Sequence, residues 1–224
     1  MNWNYTKHFP IIYVFLAIVF AFILSTSIVY AQDDPSFGIG VFGGFAASMT
    51  GEAIKDYEET EWETGSALGG SITYRMANGV IFELLAGQFD MKAVENSDEI
   101  GTLNAKPILF MIGYQSMPIN QRGVAFHVTI GGGIASSDFD KGDDIKDLEK
   151  SSGVSIDISN DDAFMFEMGA GIDYFLTRNI ALILDGRFIS GNIDSKWEFS
   201  NGNSEDFTFY ASNFQGLVGV RLWF

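Results

Sequence analysis

His127 is the one histidine beyond the apolar N-terminal run, so it is where general acid–base chemistry would be sought first. A histidine that activates a serine needs the hydroxyl beside it and an acid behind it. Ser71 and Ser212 fall in other segments, and neither sits in a nucleophile motif. Asp138-x-Asp140-x-Gly142-Asp143 begins like a calcium-binding loop, but lacks the third ligand before the glycine and the glutamate at position twelve. Gly131-Gly132-Gly133 lacks the Lys-Ser/Thr ending and the following helix that a phosphate loop requires. Cysteine is absent, which excludes disulfides, thiolate zinc sites and a cysteine nucleophile. No residue set qualifies as catalytic, cofactor-binding or metal-ligating, and the chain reads as non-enzymatic.

What remains is a set of charges at period-two positions: Arg75, Glu83, Lys106, Glu167, Asp173, Asp185, Arg187 and Arg221, with His127 among them. Their spacing predicts that all face the interior of a sheet structure. There each needs a partner or water. Arg187 and Arg221 are expected near Asp185 and Glu167, and Glu83 near Arg75 and Lys106. Filling a solid core is the expected use of this set, ahead of holding a solute.

The strands that must position these charges are legible as eight alternating segments, near 37–49, 64–76, 80–92, 102–114, 124–135, 163–175, 180–193 and 208–224. The last is the cleanest. Phe214, Val218, Val220, Leu222 and Phe224 share one face, while Asn213, Gln215, Arg221 and Trp223 share the other. Segments of about a dozen residues suit tilted strands that cross a bilayer, and the even number suits closure. A soluble sandwich also alternates, but the connections argue against it. Three are short (77–79, 115–123 and 176–179), and they alternate strictly with four long polar ones (50–63, 93–101, 136–162 and 194–207). Short turns on one side and long loops on the other are the asymmetry of an outer-membrane barrel. The fold is therefore predicted to be all-β, an eight-stranded antiparallel up-and-down transmembrane β-barrel, with both chain ends on the short-turn side. Eight strands enclose room for side chains or one small ligand, which excludes a wide porin.

Charge follows the same division. The chain has 224 residues, 13 basic and 29 acidic, for a net charge of −16, which excludes a general nucleic-acid binder. Twenty-two of the 29 acids fall in the four long connections. Solvation explains them, and divalent cations bridging the acidic loops to anionic lipid are a second expectation. Trp62, Tyr74, Tyr114, Tyr174, Trp197, Tyr210 and Trp223 lie near segment ends, where interfacial girdles form.

Residues 11–30 are almost wholly apolar, and Val29-Tyr30-Ala31 ahead of Gln32-Asp33-Asp34 offers a cleavage site. The expected organisation is a signal peptide at 1–31 and a barrel domain at 32–224.

The ending Val218-Gly219-Val220-Arg221-Leu222-Trp223-Phe224 resembles the C-terminal assembly signal of bacterial outer-membrane proteins, where a final Phe follows apolar residues at every second position. The stretch from Gly169 to Leu182, with its glycine-rich strand, Tyr174-Phe175 pair and short turn, is similar to small OmpA-like or OmpW-like barrels. The resemblance implies residence in the bacterial outer membrane among lipid and lipopolysaccharide, insertion by the barrel assembly machinery, and a monomer. The expected function is structural or surface-interacting, with a narrow channel for small or hydrophobic solutes as the alternative. No cell-wall-binding domain is expected after residue 224.

Overall fold

The computed structural model describes residues 36–49, 53–54, 60–95, 98–116 and 123–224. The expected signal peptide at 1–31 and most of the first long connection lie outside the described residues.

Eight strands form a closed antiparallel ring. They are β1 (Ser36–Ser48), β3 (Gly65–Arg75), β4 (Val80–Glu95), β5 (Asp98–Gln115), β6 (Gly123–Lys141), β8 (Ala163–Phe175), β9 (Ile180–Phe199) and β11 (Asn213–Trp223). The order around the ring is β9-β11-β1-β3-β4-β5-β6-β8, and β8 pairs back onto β9. The first and last strands close it with Gly38 opposite Trp223 and Ser48 opposite Asn213. This is the predicted up-and-down barrel.

The period-two pattern explains which way each strand faces. On β11, Phe214, Val218, Val220 and Leu222 are exposed, whereas Asn213, Gln215, Leu217, Arg221 and Trp223 are buried. Exposed Phe126 and Ile130 on β6, Leu182 and Leu184 on β9, and Ile39 and Val41 on β1 continue the same outer apolar belt. Such side chains are stable on the outside only against lipid, where burial is worth roughly 25 cal/mol per Å². The turn at Ala77–Gly79 is tight because Gly79 takes the left-handed conformation at φ 87°, closing Gly79 N–H onto the Met76 carbonyl at 3.0 Å.

The long connections differ from expectation. Much of 93–101, 136–162 and 194–207 is ordered β-structure rather than loop: β4 runs to Glu95, β5 starts at Asp98, β6 reaches Lys141 and β9 reaches Phe199. Three short strands complete this extension. β2 (Thr60–Glu63) pairs with β4, while β7 (Ile156–Asn160) and β10 (Ser204–Tyr210) flank β9. Helix α1 (Asp143–Ser152) joins β6 to β7. Asp138 and Asp140 are strand residues bonded to Lys106 and Asn104, and Asp143 opens α1, so the partial calcium-loop pattern does not form a loop.

Candidate functional site

The barrel interior is built in layers. At the short-turn end the floor is Trp223, packed with Phe175, Ala125 and Ala181. Arg75 and Arg221 lie over the Trp223 ring at 5.2 and 5.6 Å. The indole therefore neutralises no charge but offers each guanidinium its π-face.

Above the floor lies a layer of ion pairs. From β9, Arg187 donates to Asp185 Oδ2 at 2.7 Å, to Glu167 Oε1 on β8 at 3.4 Å and to Glu83 Oε1 on β4 at 3.3 Å. In the ring, β4 stands directly opposite β9, so the Arg187–Glu83 pair spans the whole bore. From β11, Arg221 donates to Glu83 Oε2 at 3.3 Å and to Asp173 Oδ2 on β8 at 3.1 Å. Glu83 is thus shared by both arginines, and Thr73 donates to it as well at 3.1 Å. On the remaining side, His127 Nε2 stands 2.9 Å from Asp185 Oδ1, and its Nδ1 stands 3.5 Å from Asp173 Oδ1. Gln115 on β5 donates to Asp173 Oδ2 at 2.7 Å. All these side chains are buried, and Arg221 is 0% exposed. Strands β3, β4, β5, β6, β8, β9 and β11 each contribute to one polar cross-brace.

A glycine makes room for it. A Cβ on Gly171 would overlap Asp185 Oδ1 and sit 2.6 Å from His127 Nε2. The missing side chain on β8 is what lets the imidazole and the aspartate meet against the wall.

Toward the loop side the interior turns apolar. Phe42, Leu85, Phe89, Leu109, Met111, Met165, Ile189 and Leu217 fill it, and Met91, Leu103, Ile193 and Phe209 continue the packing upward. Arg187 joins the two layers, with its guanidinium 4.5 Å above the Phe42 ring.

At the mouth, the extension strands and α1 enclose a cleft of about 350 Å³, walled by Ile54, Ile100, Ile145, Leu148, Ile156, Trp197, Phe199 and Phe207. Glu95, Asp144 and Glu205 stand at its rim. Ile145 fixes α1 by being buried, while Leu148, one turn on, is 56% exposed. A polar latch holds the helix from behind. Lys141 donates to Glu149 Oε1 at 2.8 Å and to the Ile156 carbonyl at 2.6 Å, and Ile156 N–H donates to Glu149 Oε1 at 2.7 Å. The Lys141 ammonium and then the Ile156 amide hold the Glu149 carboxyl below its usual range.

Most of the predicted inward charges are therefore brought together. Arg187 meets Asp185 and Glu167 as expected, whereas Arg221 pairs with Asp173 and Glu83 rather than with those two, and the ion pairs of Glu83 run to the two arginines rather than to its strand neighbours. Lys106 is a correction: it is exposed on the outer face and pairs with Asp138 at 2.7 Å. It shares the parity of Ile108 and Phe110 but lies beyond the lipid belt, where an outward side chain meets water. The girdle expectation is also corrected in part, since Trp62 and Trp223 are buried. Trp62 donates its indole N–H to the Tyr210 carbonyl at 2.8 Å. Neither Ser71 nor Ser212 bonds to His127; Ser212 is hydrogen-bonded to Ser190 at 2.9 Å. The mouth cleft had no counterpart among the sequence expectations, because its residues are dispersed over seven elements.

Comparison with known proteins agrees with this geometry. OprG from Pseudomonas aeruginosa superposes with a TM-score of 0.68 at 15% identity, covering 86% of this chain and 97% of its own. Neisserial surface protein A gives 0.51 at 14% identity, covering 84% and 96%. Outer membrane protein W of E. coli gives 0.50 at 18% identity, covering 86% and 100%. At these identities the likeness is one of fold. No curated protein matches the sequence. The outer membrane protein beta-barrel domain family matches residues 16–221, nearly the entire length. The chain belongs to that family, and it is a protein of the bacterial outer membrane.

Proposed function

We propose that this protein is a non-enzymatic outer-membrane barrel with a closed bore, whose role is structural and surface-interacting. The observation that carries this reading is the Arg187–Glu83 pair, which joins opposite walls of the barrel inside a fully buried ionic layer. A solute passing through would have to separate buried charges from their partners, at a cost of several kcal/mol each. The extension offers the outside an acidic surface, at which divalent cations would link the barrel to lipopolysaccharide. The barrel would act as a monomer, inserted by the assembly machinery through its final strand.

A second reading, a narrow channel for small or hydrophobic solutes, draws on the apolar upper interior that runs beneath the mouth cleft. It requires the ionic layer to part, or an exit through the wall above it. Liposome swelling distinguishes the two. Vesicles carrying the purified barrel should swell in glycine or arabinose no faster than empty vesicles. Swelling that scales with protein content would overturn the closed-bore reading.

A further inference from the structure

We infer that the mouth cleft is a binding site for small hydrophobic amines, molecules that join an aromatic or aliphatic group to a cationic nitrogen. The inference rests on the surface-interaction reading and names the chemistry of that surface. Its apolar part is set by size and lining. About 350 Å³ falls within the range of small-ligand pockets, and the walls are aliphatic and aromatic, with Trp197 and Phe207 4.6 Å apart between ring centroids. Leu148 on α1 is 56% exposed among the described residues and adds apolar surface to the cleft.

The cationic part follows from charge accounting. Six lysines lie on the described extension, and each is engaged elsewhere: Lys92 with Glu99, Lys106 with Asp138, Lys141 with Glu149, Lys146 with Asp143, Lys150 with Asp147 and Lys196 with Glu198. Among the described residues, no lysine or arginine pairs with Glu95, Asp144 or Glu205. These three carboxylates come from β4, α1 and β10, so they approach the cleft from different sides. An ammonium seated there meets three carboxylates that pair with no described cation, and the Trp197 and Phe207 faces are further cation acceptors. A neutral hydrocarbon would use the walls alone. An anion would be repelled.

The test uses the barrel in phosphatidylcholine nanodiscs and three brominated probes that quench tryptophan emission at contact: 4-(4-bromophenyl)butylamine, the matching butanol and the matching butyrate. The amine should quench saturably, with Kd about tenfold below that of the alcohol, as expected for exposed charges at short range. The quenching should be absent in Trp197→Phe. The triple variant Glu95→Gln/Asp144→Asn/Glu205→Gln changes exposed rim positions only. It should bind amine and alcohol alike while still migrating as a folded barrel. Equal affinity of wild type for amine and alcohol would overturn the inference, as would non-saturable quenching or a preference that survives in the triple variant. None of these readouts depends on whether the bore conducts, so a swelling result against the closed bore would leave this test standing.

Discussion

The ionic layer and the mouth cleft use the same side chains to opposite ends. In the bore, Glu83, Glu167, Asp173 and Asp185 are buried, and each faces Arg187, Arg221 or His127. At the mouth, Glu95, Asp144 and Glu205 are exposed and face no described cation. The difference is one of solvent. A carboxylate inside the barrel must bring its partner with it, because desolvation without one costs several kcal/mol. A carboxylate at the rim keeps its water and stays open to an incoming charge. Structure is therefore stored in the first region and recognition in the second.

The sharpest way to break this contrast is to remove a cation from the bore. Arg221→Met leaves Asp173 and Glu83 without their shared donor and should cost about 3–5 kcal/mol, and Arg187→Met should cost a similar amount. Urea unfolding in one detergent reads both. The triple rim variant, by comparison, should shift the midpoint very little. Next in size is the outer wall. Val220→Lys places an ammonium against lipid, at about 2–4 kcal/mol near the bilayer centre, and should impair heat-modifiable folding. Asp143→Asn/Asp144→Asn, on the hydrated start of α1, should fold normally.

How much of this was legible depends on which solvent the outer face meets. Along β11, lipid outside and polar groups inside produced an alternation that could be read residue by residue from Phe214 to Phe224. Along the upper part of β9 the alternation persists but inverts: Asp194, Lys196 and Glu198 point outward, while Ser195, Trp197 and Phe199 turn in. Charges at every second position there read as loop, although they mark a strand that has left the membrane. Lys106 was misassigned at the same boundary on β5. Apart from Lys106, the identity of the interior charges was legible from parity alone. Their pairing across the bore was not, because β4 and β9 become opposite walls only when the ring closes.

A smaller effect is expected at Gly171, where a single methyl tests how tightly the ionic layer fits the wall. Gly171→Ala should displace His127 from Asp185 and cost about 1–3 kcal/mol, the usual range for overpacking. Gly153→Ala meets open space, but it caps α1 at φ 69°, where a Cβ strains the left-handed backbone, so it should cost about 1–2 kcal/mol. The smallest effect belongs to the latch on α1. The folded state lowers the Glu149 carboxyl below its ordinary value of 4.5. The latch therefore contributes fully above that pH and weakens as acid titrates through the lower folded value. The Ile156 amide resonance should stay constant from pH 7 to 5 and move below about 4.5; Glu149→Gln should flatten that movement.

Planar-bilayer recording tests the closed bore most directly. With the purified barrel inserted and its orientation checked by protease, the account predicts a baseline without unitary steps across the full voltage range, because the pair from Arg187 to Glu83 holds opposite walls together. Reproducible single-channel steps from the folded wild-type protein would contradict it.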